Sequence, residues 1–239
     1  MSGTLCGAKV GRDALLSIPI PEPTKSFVPV AHADLADSVK RIGTDVLHDF
    51  EFYKEEYALA RDGNHMFGVT SFKGPSDETG LSIGFRNSYD KSLSIGITIG
   101  ASVFVCSNLV MNGDITVMRK HTSNVLMDLN KLILNVIYEQ RGCYIRANTD
   151  MTLMKDIGVD DDYAYRAIGW LYGHGVLSPR QIPVVKKEWV EPSHDEFSPR
   201  TLWSFYNAVT EALKSCNPAQ IMNKHIQLHE MFFPKREVA

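Results

Sequence analysis

The chain has 239 residues, 44% of them hydrophobic and 22% charged, with a formal net charge of −3. This composition fits a folded chain with a real core and excludes global disorder, and the length allows one large domain or one domain with a modest second lobe. The lack of a basic surplus argues against a dedicated duplex-DNA binder but leaves room for a local basic groove.

Residues 1–30 carry Pro19, Pro21, Pro23 and Pro29, which predicts an extended N-terminal arm lying on the body or reaching a neighbouring subunit. The stretch up to Lys25 has no apolar core of the signal-peptide kind, and no window approaches about 18 uninterrupted apolar residues, so neither a leader nor a membrane span is expected. From 33 to 49, Leu35, Val39, Ile42 and Val46 recur at helical spacing. Asp34 suits the start of that helix and Gly43 weakens it.

The middle third changes period. Arg61-Asp62-Gly63-Asn64 separates two β-compatible runs and predicts a hairpin. Leu81-Ser82-Ile83-Gly84-Phe85 alternates, and Leu93, Ile95, Ile97 and Ile99 alternate more strictly with small residues. Val103-Phe104-Val105-Cys106 and Ile115-Thr116-Val117-Met118 complete a meander. Helical spacing returns over 122–140, with Val125, Leu129, Leu132, Ile133 and Val136 on a wide apolar face that should cross the sheet. Further helices are expected at 162–172, 201–214 and 218–233. The predicted fold class is therefore α+β: an antiparallel β-meander of about five or six strands packed against helices. The predicted organisation is an arm over 1–30, an α+β core over 31–145 and a mainly helical C-terminal region over 146–239.

Four cysteines stand far apart with no CxxC, which excludes a zinc ribbon or a thioredoxin-like motif and fits a reducing, cytoplasmic compartment. Cys106, flanked by apolar residues, reads as a buried thiol rather than a nucleophile. Phosphate-loop, nucleophile-elbow and dinucleotide motifs are all missing. His225 and His229 are four apart, but Ile226 breaks the metalloprotease pattern, so structural histidines are expected. Asp160-Asp161-Asp162 suits a helix start rather than a calcium loop. No catalytic residue, metal site or cofactor is expected.

The most conspicuous polar run is Phe85-Arg86-Asn87-Ser88-Tyr89-Asp90-Lys91-Ser92. It reads either as a loop that holds a phosphate or carboxylate through Arg86 and backbone N–H groups, or as a hairpin loop whose Asn and Asp bond their own backbone. Arg119-Lys120-His121 precedes the long helix and reads either as a phosphate contact or as a solvated charged turn.

Several blocks together resemble the phage- and plasmid-borne family catalogued as domain of unknown function 932. They are Pro29-Val30-Ala31-His32, Phe85-Arg86-Asn87-Ser88-Tyr89-Asp90 with Ser92, Val103-Phe104-Val105-Cys106-Ser107-Asn108, Arg119-Lys120-His121, and Leu202-Trp203-Ser204-Phe205-Tyr206-Asn207-Ala208-Val209-Thr210-Glu211. Many family members have His where Tyr89 stands and Gly where Leu109 stands. The resemblance implies a mobile-element setting, often beside genes for single-strand DNA handling, and a distant likeness to ring-forming single-strand annealing recombinases. The leading expectation is a non-enzymatic, oligomeric single-stranded DNA binder. Arg86, Lys91, Arg119, Lys120 and His121 would line the backbone track, with Asn87 beside it and Tyr89 available for base stacking. Two alternatives stand beside it: an interaction protein that inhibits a host defence factor, and a metal-dependent nuclease using Asp90, His121 and Asn108.

Overall fold

The structure, a computed structural model, describes residues 8–75, 78–106, 108–117 and 125–234. The chain opens with strand β1 (Ala8–Val10), helix α1 (Arg12–Ser17) and helix α2 (His32–Val46). The sheet continues with β2 (Glu51–Ala60), β3 (His65–Lys73), β4 (Thr79–Ser88), β5 (Gly96–Val103), β6 (Leu109–Met111) and β7 (Thr116–Val117). Then come α3 (Val125–Asp156), α4 (Asp161–Gly173), α5 (Ile182–Val190), a 3₁₀ turn at Asp195–Phe197, α6 (Leu202–Leu213) and α7 (Pro218–Phe232).

The fold is α+β. Its sheet has seven strands in the order β1-β2-β3-β4-β5-β6, with β7 also paired to β5. Every pairing is antiparallel, so the meander follows chain order. The expected hairpin joins β2 to β3, with Ala60 opposite His65 and a loop of four residues. Arg61, Asp62 and Gly63 all take positive φ there, which the Asp-Gly pair accommodates.

Three expectations are corrected. Part of the arm predicted to be irregular pairs as β1 with β2 and then forms α1. Phe104–Cys106 turn instead of continuing the sheet. Leu93 and Ile95 precede β5 because Ser88 Oγ holds the Leu93 backbone, donating to its carbonyl at 2.9 Å and accepting its N–H at 3.1 Å.

Register assigns the faces. Leu81, Ile83, Phe85 and Asn87 of β4 share a face with Ile97 and Ile99 of β5 and with Thr70 and Phe72 of β3. This face is covered by α2 and by α3, whose Leu129, Ile133 and Val136 are fully buried. The other face carries mostly small and polar residues, Ser71, Gly80, Ser82, Gly84, Gly96, Thr98, Gly100 and Ser102, together with Phe67 and Val69 of β3. Ser71 Oγ bonds Ser82 at 2.9 Å and Ser102 at 3.3 Å, so their buried hydroxyls satisfy one another. Helix α7 packs against β2, β3, β4 and β6. The C-terminal helices therefore share the core with the sheet, and position 145/146 falls inside α3.

The close approach of β6 depends on Gly100. A Cβ there would lie 2.2 Å from the Val110 carbonyl oxygen and 2.9 Å from Met111 Cα. Both obstacles are backbone, so β5 and β6 would have to part. Gly100→Ala is expected to lose about 2 kcal/mol of stability. An unchanged urea midpoint would show that the strands relax freely.

Candidate functional site

The C-terminal end of β4 gathers three groups of polar side chains. The first is buried beneath the α2 face. Asn87 Nδ2 donates to the Val30 carbonyl at 2.8 Å and to His32 Nδ1 at 3.0 Å, and His32 Nε2 donates to the Gly63 carbonyl at 2.9 Å. These partners fix a neutral imidazole with its proton on Nε2. Tyr89 stacks on the His32 ring at 3.9 Å, and its hydroxyl accepts the His32 backbone N–H at 2.9 Å. Burial pulls the His32 pKa down to about 4, against the bond to Gly63. The second group pins the loop after β4. His65 Nε2 lies 2.9 Å from Asp90 Oδ2 and 2.7 Å from Ser92 Oγ, and Arg61 reaches the same carboxylate at 3.3 Å. Burial acts upward on the Asp90 carboxyl, but hydrogen bonds from Ser92 and His65 outweigh it and hold the pKa well below the usual carboxylate range.

Ser92 and Asp90 both bond the same nitrogen of His65, while His65 Nδ1 is buried without a partner. A nucleophilic triad needs a base with one ring nitrogen on each side, so this cluster does not activate Ser92.

The third group is Arg86. It projects from the Gly- and Ser-rich face, opposite Asn87 on the same strand. A Cβ on Gly96, its partner across β5, would come within 3.0 Å of Arg86 Nε, so the glycine makes room for the guanidinium. Arg86 Nη1 donates to the Ala219 carbonyl in the first turn of α7 at 3.3 Å, and Nε is buried with no acceptor. No carboxylate among the described residues pairs with it, since Asp90 is held by His65, Ser92 and Arg61. Burial presses its pKa below the ordinary value.

The sequence-predicted residues thus separate. Asn87 and Tyr89 are committed to the interior at 1% and 4% exposure, which removes Tyr89 as a stacking platform. Arg86 is half-buried, and Lys91 is exposed at a positive φ with Nζ 5.2 Å from the Phe27 ring centre. Arg119, Lys120 and His121 lie outside the described residues.

A second polar cluster stands at the other end of the sheet. Asn108 Nδ2 donates to Asn207 Oδ1 at 2.9 Å, the Cys106 thiol approaches the same oxygen at 3.8 Å, and Lys214 Nζ donates to the Cys106 carbonyl at 2.9 Å. Burial pushes the Cys106 pKa up to about 11, so the thiol stays protonated and inert. The nuclease grouping fails on distance. Asn108 bonds Val103, which pairs with Thr79, whereas Asp90 follows Ser88. Those two ends of β4 are about 30 Å apart. Beside this cluster opens a cleft of about 400 Å³ whose walls include Val103, Val105, Phe197, Pro199 and Trp203.

No protein-family model matches this chain, and neither curated proteins nor solved structures include a match to it.

Among the described residues no three His, Cys, Asp or Glu side chains gather as metal ligands. His225 and His229 diverge. His229 Nε2 meets Asp150 at 3.0 Å and Nδ1 faces the Tyr206 hydroxyl at 3.4 Å, whereas His225 bonds the Leu109 backbone. Reading the sequence missed Arg61, His65, Gly96 and Asp150. Each acts through a partner at least 10 residues away, and no local pattern marks such pairs.

Proposed function

We propose that the protein is a non-enzymatic, mobile-element binder of single-stranded DNA that grips phosphate through Arg86. The observation that carries this reading is a half-buried guanidinium with no carboxylate partner among the described residues. A guanidinium without a carboxylate favours an external anion, which here would meet the Nη end, because Nε is closed off from solvent. Lys91, Arg119, Lys120 and His121 are the other cations proposed to meet phosphate. With Tyr89 buried, affinity comes from the backbone, so it is sequence-tolerant and falls steeply with salt.

The test is fluorescence anisotropy with a labelled oligothymidine. Affinity is expected to drop between about 50 and about 200 mM salt, and Arg86→Ala with Lys120→Ala to weaken binding by at least about 10-fold, equivalent to about 1.4 kcal/mol. Circular dichroism checks that the variant is folded. Equal affinity in a folded variant would remove Arg86 from the interface.

A second reading, an interaction protein that blocks a host factor, is favoured by the apolar cleft near Trp203. A stoichiometric protein partner from host lysate, with no DNA affinity, would select it. Assistance of annealing or recombination follows from the family resemblance, and a cytoplasmic host setting from that resemblance together with the isolated cysteines.

A further inference from the structure

Helix α4 buries Ala164, Ala167, Ile168 and Leu171. Its outer face carries Tyr165, Trp170 and Tyr172, exposed at 43%, 42% and 49%. Tyr165, Gly169 and Tyr172 are spaced four and three residues apart, so they share one line along the helix. Nothing lies within 4 Å of a Cβ added to Gly169 or Gly173, so the ground between and beside the two tyrosines is bare backbone open to solvent. Trp170 leans on Phe232 and His174, with ring centres 5.9 and 5.6 Å away. Charge along this stretch is one-sided. Asp161 and Asp162 at the start of α4 are taken by Arg200 and Arg166. From Tyr163 to Lys187 the chain then carries Arg166, Arg180, Lys186 and Lys187 and no Asp or Glu, although the whole molecule has a net charge of −3. No carboxylate among the described residues pairs with Arg180, Lys186 or Lys187. Lys186 Nζ of α5 stands 5.9 Å from the Tyr165 ring centre.

Open aromatic faces beside unpaired cations match a polymer that alternates flat rings with anions. Bases stack on the rings, and phosphates meet the cations. The spacing also fits. Tyr165 and Tyr172 lie about 10.5 Å apart along the axis, three steps of about 3.4 Å, the rise per base of a stacked strand. We propose that α4 is the stacking platform for the bases of the bound single strand. Two bases lie between Tyr165 and Tyr172, and Lys186 meets the phosphate beside them. This rests on the single-stranded DNA reading and completes it, because Arg86 offers only a phosphate contact and Tyr89 is buried. Helix α7 joins the two contacts. Arg86 bonds the Ala219 carbonyl, and Lys224 bonds the carbonyl of Gly175 just past α4. Those two residues of α7 are about 8 Å apart along its axis.

Fluorescence anisotropy of the full chain compares a labelled oligothymidine with an abasic strand of the same length, which keeps the phosphates and lacks the bases. Wild type should prefer oligothymidine by at least about 10-fold. The preference should hold between about 50 and about 200 mM salt, because only the phosphate contacts release counterions. Tyr165→Ala with Tyr172→Ala should bring oligothymidine down to the abasic level without changing the melting temperature, because both rings are exposed. Tyr165→Phe with Tyr172→Phe should keep the preference. A wild-type protein that binds both strands equally, or a folded double-alanine variant that still prefers oligothymidine, would overturn the platform and leave the phosphate grip at Arg86 standing. No binding to either strand would sink the DNA reading itself, and the platform with it. Loss of a host protein partner in the double-alanine variant, with DNA binding intact, would assign the face to that protein and overturn the proposal.

Discussion

Lowering the pH from about 7 to about 4.5 is expected to remove roughly 5 kcal/mol of stability, through two histidines buried in the neutral form. His32 and His225 are both held at about 4 by burial, against an ordinary value of 6.5. The folded pKa lies below the unfolded one, so the unfolded chain takes up protons first. Stability is complete above about pH 6.5, falls with acid, and stops falling from this source below about pH 4. A gap of this size is on the order of 3 kcal/mol for each histidine, and two such terms approach the whole stability of a typical domain. The groups around them do not rescue the charge. His32 faces Tyr89, Asn87 and His65, and His225 feels the positive Lys214. The low Asp90 carboxyl adds a further loss at more acidic pH, because its stabilisation is present only above its unfolded value. Urea unfolding across this range should give a slope near two protons. A flat profile between about pH 6.5 and about pH 5 would show that neither ring is kept neutral by the fold.

Asn87→Ala is expected to cost about 3 kcal/mol, because it strands His32 Nδ1 and the Val30 carbonyl in the interior as well as opening a cavity. Both bonds come from one amide, at 3.0 and 2.8 Å. His32 keeps its bonds to the Gly63 carbonyl and the Tyr89 hydroxyl, so the start of α2 loses its direct polar link to β4 but not its place on the sheet. Oligothymidine affinity of the folded fraction should not change, because Asn87 is buried. A loss of DNA binding without a loss of stability would return Asn87 to the interface and reverse its assignment as a pin.

The layers of this fold could be read from the residues, whereas its site could not. The apolar spacing of Leu35, Val39 and Ile42 marks α2, and all three are buried. Gly43, which weakens that helix locally, is retained because the Phe72 ring lies 2.4 Å from where its Cβ would be. Only the opposite sheet reveals that reason. The second half of α3 escaped because Glu139, Arg141 and Gly142 interrupt the apolar rhythm, and Ile145 faces outward. Asn87, Tyr89, Cys106 and Asn108 stood out as unusual, but their partners His32 and Asn207 lie 55 to 101 residues away. Alternation along β4 also put Arg86 and Asn87 on opposite faces, which a one-dimensional cluster of donors conceals.

The Gly- and Ser-rich face of the sheet has a consequence for synthesis. Strands β2 to β5 pair with chain neighbours and can form as soon as they emerge, but α7, the cover of that face, is made last. Throughout that interval the nascent protein displays a broad sheet surface to the cell. Phe67 and Val69 stand bare on it until then, and the short hydroxyls and glycine backbone around them keep that apolar patch small, so a surface chosen for tight helix seating also lowers the hazard of waiting.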